Sequence, residues 1–183
     1  MRAFLAIALP DDVRSAVAAV AAPVVAAHPG PRWLHPENVH LTVEFLGSVD
    51  EALVRDLDVR LRAVAATTAS ADLVLSGVGA FPPRRPRVLW LGLVEGEAWF
   101  VGLTEAVRVV VREVGLEPDR RPPSAHVTLA RQERPERAAL AALETAFADR
   151  RFAWRAERLT LYSSVLARGG PTYTIEQQWR FRA

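Results

Sequence analysis

The chain has 183 residues, 50% hydrophobic and 24% charged, a composition suited to one globular domain or two small lobes sharing a core. It has no cysteine, which excludes disulfides, thiolate nucleophiles and sulfur-rich zinc sites. The net charge is only +2, from 23 arginines and no lysine against 21 acids, too small an excess for a cationic coat on duplex DNA.

Phe4 to Leu9 is continuously apolar and is followed by turn signals, so it reads as a strand buried on both faces. The apolar opening is far shorter than the ~20 residues of a membrane span. Pro10-Asp11-Asp12 follows it with no cleavage-like segment, so the expectation is a soluble cytoplasmic protein. The same three residues start a helix over Asp11–Ala27, with Pro23 as a kink or early end. After the break at His28-Pro29-Gly30-Pro31 come a short strand, Arg32–Leu34, and a turn, Pro36–Asn38. A strand then begins at His40 and ends at Gly47. Ser48 or Asp50 caps a second helix, Glu51–Ala66. Asp72–Val78 alternates as a strand, Gly79–Pro83 is a loop, and Arg87–Val94 is a strand rich in Val, Leu and Trp. Gly96 opens a third helix that ends near Gly115. Pro118–Pro123 forms a loop, and a strand follows from His126. Pro135 starts a fourth helix, to Ala148. Phe152–Trp154, Arg158–Val165 and Tyr173–Trp179 are strands, with Arg168-Gly169-Gly170-Pro171 as the last hairpin turn.

Two of these strands carry one pattern: Val39-His40-Leu41-Thr42-Val43 and Ala125-His126-Val127-Thr128-Leu129. Residues i and i+2 of a strand share a face, so in each copy His and Thr point one way and the aliphatic residues the other. Nine of the 183 residues are Thr, which gives any one His roughly a 5% chance of a Thr two places on. Two hits among four histidines are therefore hard to assign to core packing. The spacing of His40 and His126 gives a weak internal repeat near 86 residues, too long for a solenoid and suited to duplicated α+β lobes.

Two imidazoles and two hydroxyls suit metal-free acid–base work on a phosphoester. With an ordinary pKa near ~6.5, one histidine can be neutral and the other charged near neutral pH. The Thr hydroxyls can donate to non-bridging phosphate oxygens. A zinc site is poorly supplied: by alternation Glu44 falls on the His40 face, but the second copy has no matching carboxylate. No nucleophile-elbow sequence supports a Ser-His-Asp site.

His40-Leu41-Thr42-Val43-Glu44-Phe45-Leu46-Gly47 and His126-Val127-Thr128-Leu129-Ala130-Arg131 resemble the two signature motifs of the 2H phosphoesterases. More narrowly they resemble the RNA 2′,3′-cyclic phosphodiesterases, also known as 2′-5′ RNA ligases of LigT type. The likeness extends to Arg2–Ile7, to Trp33 with Pro36–Asn38, and to Gly77–Pro82 and Arg87–Gly92. It continues through Leu161–Ser164 and Gly169–Pro171 with Tyr173, and so covers essentially the whole chain. The resemblance implies an α+β, bilobal, duplicated fold over residues 1–183. Two pseudo-symmetric lobes form one domain, with two antiparallel sheets flanked by helices and the histidines across a central cleft. It implies hydrolysis of RNA 2′,3′-cyclic phosphate ends to 2′-phosphates. The expectation from the residues themselves is a monomer with no metal or other cofactor and no membrane partner. Carried over, His40 is the proton donor to the departing 3′ oxygen and His126 the proton acceptor that activates water. Thr42, Thr128 and Arg131 hold the phosphate. Arg131 has the wrong parity to share a face with His126 and Thr128, so a bulge or the strand end must turn it inward.

Other readings stay open at this stage: a small cyclic nucleotide or ADP-ribose cyclic phosphate as substrate, 2′-5′ RNA ligation, or a catalytically silent nucleotide- or RNA-binding module. His28 and His35 are expected in exposed loops and the five tryptophans mostly in the core. Phe45 and Tyr162 are expected in the core before base stacking. Arg84–Arg87 and Arg120–Arg121 are either solvated loops or guides for an RNA backbone.

Overall fold

Strand β1 (Arg2–Ala8) runs through the middle of the protein with five successive buried residues, as its unbroken apolarity predicts. The computed structural model describes residues 1–167 and 170–183. After β1 come α1 (Asp11–Ala27), β2 (Arg32–Trp33), a single 3-10 turn (Pro36–Asn38), β3 (His40–Ser48) and α2 (Glu51–Thr67). Then follow β4 (Ala71–Phe81), β5 (Val88–Glu95), α3 (Glu97–Glu113), β6 (His126–Arg131), α4 (Ala138–Ala146), β7 (Phe152–Ala156), β8 (Arg158–Ala167) and β9 (Gly170–Arg180).

The strands form one sheet in the order β7-β4-β5-β6-β3-β1-β8-β9, with β2 added against β6. The two antiparallel sheets of the resemblance are thus the two halves of one curled sheet. They meet at the β3–β6 seam, where Leu41 pairs with Val127. Helices α1 and α4 pack together over β7 and β4, whereas α2 and α3 pack together over β9 and β3. The mixed α and β architecture expected from the sequence is present.

Local chemistry explains most element boundaries. Of the two predicted caps for α2, Asp50 serves: its carboxylate accepts from Leu53 N at 2.9 Å, satisfying one of the free amides of the first turn. Helix α1 continues through Pro23 to Ala27. Helix α4 begins at Ala138, three residues beyond the predicted Pro135. Strand β4 runs on to Phe81, so the predicted loop at Gly79 is strand. Gly77, at φ 72°, absorbs a register shift against β5, and a bulge of this kind needs the left-handed region open to glycine. Gly79 then lies under the Trp90 ring, where a Cβ would run into the indole. In the last hairpin Ala167 pairs with Gly170. Arg168 and Gly169 of the predicted turn lie outside the described residues.

Candidate active site

The seam creates the site. Around the antiparallel Leu41–Val127 pair, His40 flanks Thr128 and Thr42 flanks His126. Leu41 and Val127 are fully buried on the core side, while the two His and two Thr are half-buried on the opposite, hollow side. Paired strands place such neighbours about 5 Å apart across the ladder and about 7 Å along it, a frame of phosphate size.

Both imidazoles are held in the same way. His40 Nδ1 bonds the Asn38 carbonyl at 2.7 Å, and His126 Nδ1 bonds the Ser124 carbonyl at 2.9 Å. A carbonyl only accepts, so each Nδ1 carries the hydrogen and each Nε2 is left free. The Asn38 side chain in turn donates to Pro171 O at 2.8 Å, tying the His40 support to β9. The shared offset, a carbonyl two residues before each histidine, is a second internal symmetry that alternation alone does not reveal.

Aromatic rings frame each histidine. Phe4 stacks on His40 with centroids 4.7 Å apart, and Tyr173 meets it edge-on at 5.3 Å. Phe81 meets His126 edge-on at 5.1 Å, with Trp90 at 6.1 Å. Burial, more than any other influence, lowers the His40 pKa from 6.5 to about 4; the charge of Arg131 and the nearness of His126 push the same way. His126 is also lowered, by burial first and then by Arg131 and Arg121, against the opposing bond to Ser124. Both imidazoles are therefore biased toward the neutral form in the free protein.

Bulges decide what else enters the hollow. In β6 the partners Trp90–Thr128 and Leu89–Ala130 leave Leu129 as an extra residue. Ala130 therefore turns to the core and Arg131, opposite Val88, returns to the His126 face. This is the inward turn that alternation requires for Arg131, and its charge acts on His40, His126 and Tyr173. The first motif contains the same device. Ala6 pairs with Thr42 and Leu5 with Glu44, leaving Val43 extra.

The bulge at Val43 corrects two expectations. Glu44 does not share the His40 face: it lies in the core at 2% exposure, paired through Oε2 with Arg108 Nε at 2.8 Å. Phe45 is not a core residue: it faces the hollow beside Phe4, 54% exposed, and stands where Arg131 stands in the second motif. Tyr162 is half-buried and stacks on Phe4. Trp154 and Trp179 are core as expected, whereas Trp33, Trp90 and Trp99 are only half-buried. His35 is exposed; His28 is half-buried and caps α1. Among the described residues no three metal-ligating side chains converge, and no helix is long and apolar enough to cross a membrane.

A curled antiparallel sheet, helix pairs behind it and two imidazoles in its hollow define a class, the phosphoesterases built on this doubled fold. The chain belongs to the LigT-like phosphoesterase family, whose model matches residues 7–90 and 97–173. It is 34% identical over 130 residues to an RNA 2′,3′-cyclic phosphodiesterase of Geobacillus stearothermophilus, covering 70% of this chain but only 41% of that protein. It is 30% identical to the RNA 2′,3′-cyclic phosphodiesterase of Methanothermobacter thermautotrophicus over 98% of both chains. The crystal structure of E. coli LigT complexed with 3′-AMP superposes with a TM-score of 0.80 at 26% identity, over 100% of this chain and 98% of that one.

Proposed function

We propose that this protein hydrolyses RNA 2′,3′-cyclic phosphate ends to 2′-phosphates, without a metal. The observation that carries the reading is the seam: two His-Thr pairs run antiparallel in one hollow, each imidazole presenting a free Nε2. Full-length relatives named RNA 2′,3′-cyclic phosphodiesterase and a similar fold crystallised with 3′-AMP supply the substrate class.

His126 Nε2 takes a proton from water as it attacks phosphorus. The bond from phosphorus to the 3′ oxygen breaks, and His40 Nε2–H protonates the departing oxygen. Thr42, Thr128 and Arg131 donate to the non-bridging oxygens, where charge builds up. Glu44, the carboxylate within the first motif, is committed to Arg108, which leaves nitrogen and hydroxyl groups to do the work. His40 must arrive protonated, which its surroundings oppose in the free protein. The anionic cyclic phosphate supplies the charge that favours the imidazolium. Phe45, exposed above Phe4, offers a face for the terminal base. All these groups come from one chain, so a monomer suffices.

The test is incubation with an RNA ending in 2′,3′-cyclic phosphate, in EDTA, with identification of the product. A 2′-phosphate is expected, and His40→Ala and His126→Ala should each remove most turnover. A 3′-phosphate product, EDTA sensitivity or an active double variant would overturn the mechanism.

A further inference from the structure

The edge of the hollow beside Arg131 is a cluster of arginines that the chemistry above does not use. Turn 82–87 leaves β4 directly after Phe81, the ring set against His126. Loop 132–137 leaves β6 directly after Arg131. The two segments are fastened together: Arg87 donates to Glu133 O at 3.0 Å, Arg137 to Pro83 O at 3.3 Å, and Gln132 N to Arg87 O at 2.7 Å. Arg32 of β2 pairs across the ladder with Arg131 itself.

Arg32, Arg84, Arg85 and Arg134 are all exposed there. None of the four takes part in an ion pair among the described residues. Glu133 and Glu136 are the acids of the same segments, so the edge keeps a clear positive excess. Several arginines elsewhere are neutralised, among them Arg60 by Glu113, Arg62 by Asp58 and Arg155 by Asp72. The other basic pair singled out in the sequence, Arg120 and Arg121, is also neutralised, by Glu117 and Asp119. Of the two candidate guides for a nucleic-acid backbone, only the one beside Arg131 is free to take an anion.

The opposite wall of the hollow is aromatic and apolar. Phe45, Phe4, Tyr162 and Ile175 are successive cross-strand partners on β3, β1, β8 and β9. One wall thus suits a base and the other a run of phosphates. We propose that the free arginine edge binds the phosphates upstream of the cyclic end, so that the enzyme selects oligoribonucleotide ends over mononucleotides. This rests on the phosphodiesterase reading above and names the substrate feature that the same hollow selects. A cyclic mononucleotide occupies the His-Thr frame but has no upstream phosphodiester to reach Arg84, Arg85 or Arg134. Contacts of this kind to a single strand weaken with salt in proportion to the phosphates neutralised.

The test compares kcat/KM for a short oligoribonucleotide ending in 2′,3′-cyclic phosphate with that for a 2′,3′-cyclic mononucleotide, in the wild type and in the triple variant Arg84→Ala, Arg85→Ala, Arg134→Ala. The expected result is a loss of roughly tenfold or more on the oligonucleotide with a shallower salt dependence, and an unchanged mononucleotide rate, which also reports intact folding. The corresponding lysine variant should keep most of the oligonucleotide rate, because these are point-charge contacts. An unchanged oligonucleotide rate, as an acidic protein partner would give, or equal loss on both substrates would overturn this proposal alone. A wild type inert on both would remove the underlying reading and the proposal with it.

Discussion

His40 and His126 share a motif, a tautomer and an anchoring geometry, yet their surroundings separate them. The aromatic cover of His40 lowers its pKa to about 4. Between that value and 6.5 the unfolded chain binds a proton that the folded imidazole refuses, so this contribution to stability is present above 6.5 and is lost as pH falls toward 4. The loss has an upper bound of about 3 kcal/mol. Denaturant unfolding at pH 7.5 and at pH 4.5 should show it in the wild type, and a smaller difference in His40→Gln. If the two proteins lose stability equally, His40 is not the titrating group. NMR titration should also find His40 neutral in the free protein at neutral pH and nearer protonation with a 2′-phosphate bound. Arg131 can be tested with the same instrument. Its positive charge disfavours protonation of both imidazoles, so Arg131→Ala should raise both pKa values while removing a donor to the phosphate. A fall of about 10²-fold in kcat/KM is expected, together with a shift of the acidic limb of the pH–rate profile to higher pH. A fall with unmoved limbs would place the arginine outside the electrostatics of the pair.

At the scale of elements, the strands were legible because alternation fixes a face, and His40 with Thr42 and His126 with Thr128 sit where alternation puts them. What alternation could not show is where it stops. Val43 and Leu129 are ordinary apolar strand residues, and nothing in their chemistry marks them as extra. Alternation across Val43 therefore misplaced Glu44 and Phe45, and Arg131 was reachable only through family resemblance. The ring framework was equally hidden, since Phe4, Phe81 and Trp90 come from three different strands. Once turned inward, Glu44 does structural work across elements. Its Oε1 accepts from Asp119 N at 3.0 Å, while its partner Arg108 donates to Arg121 O at 2.9 Å. The pair thereby pins the loop that leads to Ser124, the support of His126. Glu44→Gln removes the buried counter-charge of Arg108, which keeps only the exposed Glu105 at 3.1 Å, and should cost about 3 kcal/mol. Adding Arg108→Met should recover part of that, because the under-compensated buried charge is gone; a double variant no better than Glu44→Gln would show that the charge was not the cause. Gly79→Ala is a smaller test of the same framework. Its Cβ would run into the Trp90 ring, and displacing that ring should cost about 1–3 kcal/mol and lower kcat through His126.

Over the whole molecule, the internal repeat does not divide the chain into two separable halves. Strands β4 to β7 form one half of the sheet from a continuous middle segment, while the other half joins β1 and β3 from the start of the chain to β8 and β9 from its end. The helices cross this division. Helix α1, which follows β1, packs on α4 and β7; helix α3, which follows β5, packs on α2 and β3. Each half of the sheet is therefore covered in part by a helix that follows a strand of the other. The junctions are tied as well: Ser70 N donates to Arg182 O at 2.7 Å and Arg182 N to Thr68 O at 2.9 Å, fastening the C-terminal end to the start of β4. Leu5, Leu41, Leu89 and Val127 belong to one apolar cluster that runs under both halves. An isolated middle segment would expose the apolar faces that α1 covers and leave α3 without its seat. We infer one cooperative unit whose two lobes cannot unfold independently. Calorimetry should give a single transition with matching calorimetric and van't Hoff enthalpies, and far-UV and near-UV circular dichroism should report the same midpoint. Two resolved transitions, or a middle segment over residues 70–157 that folds alone, would mean that the seam joins two domains instead of running through one.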